Sequence, residues 1–564
     1  MKFAIATAAR PGAIAVARRP SVTCVALAAV AMLTTAPAAA ADLDQNSLKP
    51  IDAAHWDRAA AAHLLRRAAF GGTPAEIDKL AALGAANAVD YLLNYRDIPY
   101  SPAPPKIDPT LLERPDRALL KTLSEQERQQ LQEKRRRADR AAFEEVRLWW
   151  LERLAESPRP LEENMTLFWH GHFTSGMREV RSALFMKEQN ELLRRLALDN
   201  FRELVLGVSR DRAMLVYLDG NRNHKQHPNE NYARELMELF TLGVGNYTEA
   251  DVQAAAQAFT GWGFDEDGFV FRRRDHDYGL KTFLGQTGRF DGADVIDIIL
   301  EQPACPRFLA KKLLEYFVRP DPDKKLVEAL AHVIRQQKYE LKPILRTLLL
   351  SQAFYHPRSR GCLIKSPVAL VVGTARQLGV TIADLHKAER ALTAMGQELM
   401  QPPNVKGWDG GTEWINTATL FHRYNTVGGL IHGTGGEPRR PAAMLAGRGA
   451  AKAETPEAGA MAAESMPAMT DGKPQPMSRA AGGKQPPYDP LWAIREQGLQ
   501  TPEQIVDLFV GHLLAVPLSA EKRTALVAYL AGESGKLNLG DRRTAERVRM
   551  MIHLLCSTPE YQMN

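Results

Sequence analysis

The chain has 564 residues, 45% of them hydrophobic and 24% charged, with a formal net charge of +6. That length and balance imply a globular protein with a large core, and exclude a collagen-like or wholly disordered chain. The basic excess does not point to nucleic acid. Residues 1–41 hold four basic side chains and no acid, so their removal takes the charge from +6 to +2.

Those first residues have the layout of an export signal. Lys2, Arg10, Arg18 and Arg19 precede an apolar run at 24–33, and Ala36-Pro37-Ala38-Ala39-Ala40-Ala41 offers small-residue cleavage sites. We read 1–41 as a signal peptide and the mature protein as exported, periplasmic or extracellular. The run is too short to span a bilayer, and no later stretch is longer. Of the 4 cysteines, Cys24 leaves with the signal. Cys305, Cys362 and Cys556 then allow one disulfide and one free thiol, with Cys305 and Cys362 as the candidate pair.

From Trp56 onward the periodicity is helical. His63-Leu64-Leu65-Arg66-Arg67-Ala68-Ala69-Phe70 stops at Gly71-Gly72, and Thr73-Pro74-Ala75-Glu76 is a capping box. A Pro-rich loop follows, then a long charged helix over 113–155 whose Lys134-Arg135-Arg136-Arg137 run reads as a solvated face. Next comes an aromatic run containing His170-Gly171-His172, and helices at about 179–198, 200–208 and 211–218. The segment 264–290 has the alternation of a hairpin or ordered loop. Helices resume at 303–318, 323–336 and 341–353. Residues 433–487 are Ala/Gly/Pro/Met-rich without period and read as a disordered linker. The expected fold is mainly α, a large multi-helix single body with long loops and little or no sheet. Its main helical domain covers 50–432, and a C-terminal helical segment, 488–564, packs back on it.

The densest chemistry lies in His227-Pro228-Asn229-Glu230-Asn231-Tyr232-Ala233-Arg234-Glu235-Leu236-Met237-Glu238-Leu239-Phe240. Pro228 is placed to start a helix and Gly243 to stop it. At 100° per residue, Tyr232, Leu236, Leu239 and Phe240 share an apolar face. Asn231, Arg234, Glu235 and Glu238 share the opposite one.

The ordered motifs Phe168-Trp169-His170-Gly171-His172-Phe173, Pro228-Asn229-Glu230-Asn231, Tyr247-Thr248-Glu249, Thr260-Gly261-Trp262, His276-Asp277 and Pro402-Pro403-Asn404-Val405-Lys406-Gly407-Trp408 resemble a bacterial family of exported proteins, domain of unknown function 1800. The resemblance implies export and a mostly helical build, with no established activity to carry over. It also implies, as a partner, a co-secreted protein resembling sulfatases or alkaline phosphatases.

Three readings of the polar residues stay open. One is a divalent metal centre (zinc, manganese or iron) held by His170, His172, Glu235, Glu238 and His276. His170 and His172 would diverge on a continuous helix, so this needs the helix to end at Gly171. The second is a buried polar network: Asn229, Glu230, Asn231 and Asp277 brace loops, and Arg234 pairs with Glu230 and Glu238. The third is acid–base catalysis by Glu235 or His170, with Arg234, Lys281, Trp262 and Trp408 receiving an anionic or sugar substrate. The functional expectation is an exported enzyme acting on an envelope or polymeric substrate. Its alternative is a non-catalytic envelope scaffold that binds the co-secreted hydrolase.

Overall fold

In the computed structural model, residues 42–107, 122–433, 487–532, 537–539 and 541–564 are described. The expected signal peptide and nearly all of the expected linker lie outside them. The described chain is mainly α-helical, and its only sheets are two antiparallel hairpins. These are β1 (Trp262–Asp265) with β2 (Gly268–Phe271), and β3 (Lys281–Phe283) with β4 (Gln286–Gly288). Among the described residues no helix is long and apolar enough to cross a membrane.

Local chemistry sets most helix ends. Asp57 caps the Arg58–Ala69 helix, and Phe70 closes it in the left-handed region at φ 62°. Thr73 and Glu76 make a reciprocal capping box, as do Ser124 and Glu127 at the head of the long Glu125–Glu156 helix. That helix was expected from 113, but residues 108–121 fall outside the description. The helix expected over 179–198 is broken in two, Met177–Val180 and Ala183–Arg195, because Arg181 turns left-handed at φ 54°.

Residues Asp42–Asn564 form one compact unit with two apolar cores. The first gathers helices from residue 51 to 355. The second joins the end of Glu125–Glu156 to Pro367–Leu378 and Thr417–His432, and to the C-terminal helices Pro502–Leu513 and Arg542–Cys556. Between the cores runs the Pro160–His172 helix, buried at every position except Gly171. Leu161, Met165, Phe168 and Trp169 enter the first core, and Leu167 enters the second.

A helix buried on all sides must neutralise its acids internally. Glu163 is wholly buried and accepts hydrogen bonds from Arg153 Nε at 2.7 Å, Arg194 Nε at 2.9 Å and Arg194 Nη2 at 2.9 Å. Burial opposes its ionisation, but the two guanidiniums prevail and hold the carboxyl below its ordinary range. Both guanidiniums lie over Trp149, 5.2 and 5.0 Å from the ring centroid. The expected disulfide is not formed: all three cysteines are free thiols in separate surroundings. Cys305 is buried beside Tyr339, Cys362 lies 3.2 Å from Arg67 Nη2, and Cys556 is buried beside Tyr561 and Lys365.

Removing the shared carboxylate strands two buried cations. Glu163→Ala should therefore destabilise the protein by about 3–5 kcal/mol in denaturant melts. A loss under about 1 kcal/mol would show that solvent already screens the arginines.

Candidate functional site

The central stretch folds as a helix that changes type midway. Its α-helical part, Asn231–Glu235, begins three residues after Pro228, with Asn229 Oδ1 accepting from Asn231 N–H at 3.0 Å. Leu236–Thr241 is a π-helix: Leu242 N–H reaches back five residues to Met237 O at 2.8 Å, and Gly243, at φ 82°, ends it. Single π-turns of this kind recur at functional sites. The wider turn advances each side chain by less than 100°, so Met237 enters the core while Leu239 is only half-buried. Arg234, Glu235 and Glu238 are half-buried and Asn231 is exposed, so the polar face borders solvent.

Arg234 pairs with Glu230 at 3.2 Å, as expected, but its second partner is Glu249, with both oxygens at 2.7 Å, rather than Glu238. Glu238 instead accepts from Tyr247 Oη at 2.5 Å. Among the described residues Glu235 makes no such pair. Burial first, and the charge of Glu238 second, raise its pKa above the ordinary carboxyl value. The same surroundings contain Tyr217, whose phenol is pushed up to about 12 by burial and then by the charge of Glu179, with Glu235 adding to the effect. Thr174 hydrogen-bonds this phenol. Glu179 Oε2 and Gln401 Nε2 crowd Gly176, where a Cβ would come within 2.8 and 3.0 Å of them. A protonatable carboxyl, a phenol and a second carboxylate thus share one region. Such a group can donate and accept protons.

The His-Gly-His segment lies beneath this region as part of the core. The Pro160–His172 helix runs unbroken through Gly171, so the two rings diverge. His170 stands edge-on to Trp150 at 5.2 Å and tilted to Trp408 at 5.8 Å. His172 pairs through Nε2 with the carbonyl of Phe240, at 2.9 Å, which ties this helix to the π-turn. The loop of residues 402–408 covers the same end. Thr174 Oγ1 donates to Val405 O, and Gly407, at φ 94°, lies so close that a Cβ would sit 2.5 Å from Gly171 O. Three stretches singled out by sequence therefore do meet.

The fourth does not. His276 pairs with Thr260 O at 2.9 Å, between the rings of Phe271 and Tyr278. Asp277 accepts from Gly279 N–H, and the buried Lys281 donates to Asp277 O at 2.6 Å and Gly279 O at 3.1 Å. Lys281 is thus a loop brace, and Trp262 a core residue 5% exposed, rather than groups open to a substrate. Trp408 is half-buried against His170. The expected metal set of His170, His172, Glu235, Glu238 and His276 is not assembled. Among the described residues no three His, Cys, Asp or Glu side chains group as ligands would. The helix sends the two histidines apart, and Phe240 O, Tyr247 Oη and Thr260 O engage three of the five. An apolar cavity of about 370 Å³, lined by Val371, Ile382 and Leu430 among others, includes none of these residues.

Tyr217, Glu179 and Gln401 had not been singled out from sequence. Tyr217 ends one short helix and Glu179 sits in another, and neither carries a local signal. Gln401 opens the motif Pro402-Pro403-Asn404, which was the nearest pointer to it.

The histidines give this region a pH signature. Burial pushes His170 down to about 4, and burial with the nearby charge of Lys312 pushes His172 down to about 3, against an ordinary 6.5. Below pH 6.5 the unfolded chain binds protons that the folded one refuses. Each ring should therefore remove stability as pH falls from 6.5 toward its folded value, by up to about 1.4 kcal/mol per pH unit, and contribute nothing to the slope above 6.5. His172→Asn should flatten the loss of stability between pH 6.5 and 4. An unchanged slope would place His172 in contact with water.

No curated protein and no solved structure matches the chain. The sequence profile described as "Protein of unknown function (DUF1800)" matches residues 63–563. It takes in the His-Gly-His helix, the π-turn, the 402–408 loop and the C-terminal helices alike, and by that match over nearly its whole length the chain belongs to the DUF1800 family.

Proposed function

We propose that this protein is an exported acid–base enzyme acting on a polymeric substrate of the cell envelope, with Glu235 as the proton-transfer group. The observation that carries the reading is the state of Glu235: half-buried at the last α-helical position before the π-turn, outside the ion pairs of Arg234, and raised in pKa by burial and by Glu238. A carboxyl so tuned holds its proton closer to neutral pH, which suits a general acid. Tyr217 and Glu179 supply the second proton carrier. Two carboxyl groups that flank a glycosidic bond can cleave it by acid–base catalysis, and Glu179 is the partner we assign to Glu235. His170 and His172 act through packing, and Arg234 fixes the helix rather than the substrate. Export rests on the layout of residues 1–41.

Release of reducing ends from envelope polysaccharides should fall by two or more orders of magnitude in Glu235→Gln. The wild-type rate should decline with rising pH along a limb above the ordinary glutamate value of about 4.3. A Glu235→Gln protein that folds and keeps full activity would end this assignment.

A scaffold function has its own support in the exposed apolar side chains of one stretch, Phe269, Phe271, Tyr278 and Leu280, the last 70% exposed. On that reading they receive the co-secreted sulfatase- or phosphatase-like partner. Protein isolated from the envelope fraction should begin near Asp42 and carry a partner that Leu280→Asp releases but Glu235→Gln does not. Recovery without a partner would remove the scaffold reading, and retention of residues 1–41 would remove export.

A further inference from the structure

A groove of about 780 Å³ runs between the Glu125–Glu156 helix and the Met177–Val180 turn, with Glu398 and Gln401 at its inner edge. Six arginines line it against three carboxylates, so its walls carry a clear positive excess. Arg147 is committed to Glu389 and Glu398, at 2.8 and 2.7 Å. Arg136, Arg140 and Arg181 are exposed, and among the described residues none has a carboxylate within ion-pair distance. The basic run expected to be a plain solvated face therefore forms one wall of a concave surface.

The opposite wall is built with backbone strain. Arg181 is a bulky residue in the left-handed region, φ 54°, and its Nε donates to Arg178 O at 3.2 Å. Arg178 N–H is held in turn by Gln401 Oε1 at 3.0 Å. A non-glycine residue is strained there, and such outliers gather where a side chain must be aimed. Here the result is a second line of guanidiniums facing the first.

We propose that this groove binds an anionic polysaccharide, one bearing uronate or sulfate groups, and feeds it to the Glu235 region; the catalytic half of this inference rests on the acid–base reading above. Planar guanidinium forks match carboxylate and sulfate oxygens in pairs. Asp139 and Glu144, which respectively accept from Ala183 N–H and pair with His386, keep further lone pairs for sugar hydroxyls, and the half-buried Met177 adds an apolar contact. DNA offers comparable charge but no free sugar hydroxyls along its backbone, so oligothymidylate serves as the competing polyanion. Gln401 connects the two places: it lines the groove and presses on Gly176 opposite Glu179, whose charge acts on Tyr217.

Binding of polygalacturonate, dextran sulfate, neutral dextran and oligothymidylate to the full mature chain tests this. At low salt one or both anionic glycans should bind, more weakly as salt rises, and neutral dextran should not. Which of the two binds tells carboxylate from sulfate. The triple variant Arg136→Ala/Arg140→Ala/Arg181→Ala should lose about tenfold or more in affinity. Arg137→Ala, outside the groove on the same helix, should bind as wild type does, which controls for folding and general charge. Glu235→Gln should also keep its affinity. If the triple variant binds glycan normally, or if oligothymidylate binds the same arginines more tightly, the groove assignment is wrong while the Glu235 assignment stands. If the triple variant loses binding yet Glu235→Gln still cleaves the glycan, the groove stands and the catalytic reading falls.

Discussion

Glu163 is an ionised carboxylate with no exposure to solvent, and burying one without partners costs on the order of tens of kcal/mol. Arg153 and Arg194 reach it from two other helices, so its charge is satisfied only when all three helices are in place. That constraint gives the Pro160–His172 helix its position between the two cores. The interaction need not add net stability, since an apolar replacement of the whole set could do as well. What it supplies is register. With the helix fixed, His172 meets Phe240 O, Gly171 meets Gly407, and the π-turn is held against its end.

This arrangement divides the polar residues by role. His170 and His172 are interior groups, one among aromatic rings and the other hydrogen-bonded to a carbonyl. Glu238 and Arg234 are spent on Tyr247, Glu230 and Glu249. Glu235, the last residue of the α-helical part, is half-buried and lies outside the ion pairs of Arg234, and burial with the charge of Glu238 raises its pKa. Gln401, which lines the basic groove, also lies against Gly176 beside Glu179, and Glu179 and Glu235 both act on Tyr217.

Much of the fold was legible in the sequence because its signals are local. Capping boxes at Thr73 and Thr248 and the stops at Gly71 and Gly243 depend on neighbours within a few residues. The mainly α class and the hairpins near residues 264–290 followed from periodicity in the same way. The π-turn did not, because Thr241 bonding back to Leu236 O and the packing of Met237 are what widen it, and a 100° projection cannot show that. The five residues of the metal reading do not converge among the described residues, and spacing alone cannot say whether the helix stops at Gly171. The ion-pair triad on Glu163, the pairing of Arg234 with Glu249 and the groove opposite Arg181 all depend on tertiary contacts, which one sequence does not encode locally.

The central claim is that Glu235, not the His-Gly-His pair, is the tuned proton carrier of this region. A potentiometric difference titration of the folded mature protein against Glu235→Gln isolates its proton. The account predicts that the missing proton titrates above the ordinary glutamate value of about 4.3. A missing proton that titrates at or below that value would show Glu235 to be an ordinary surface carboxylate and would contradict the account.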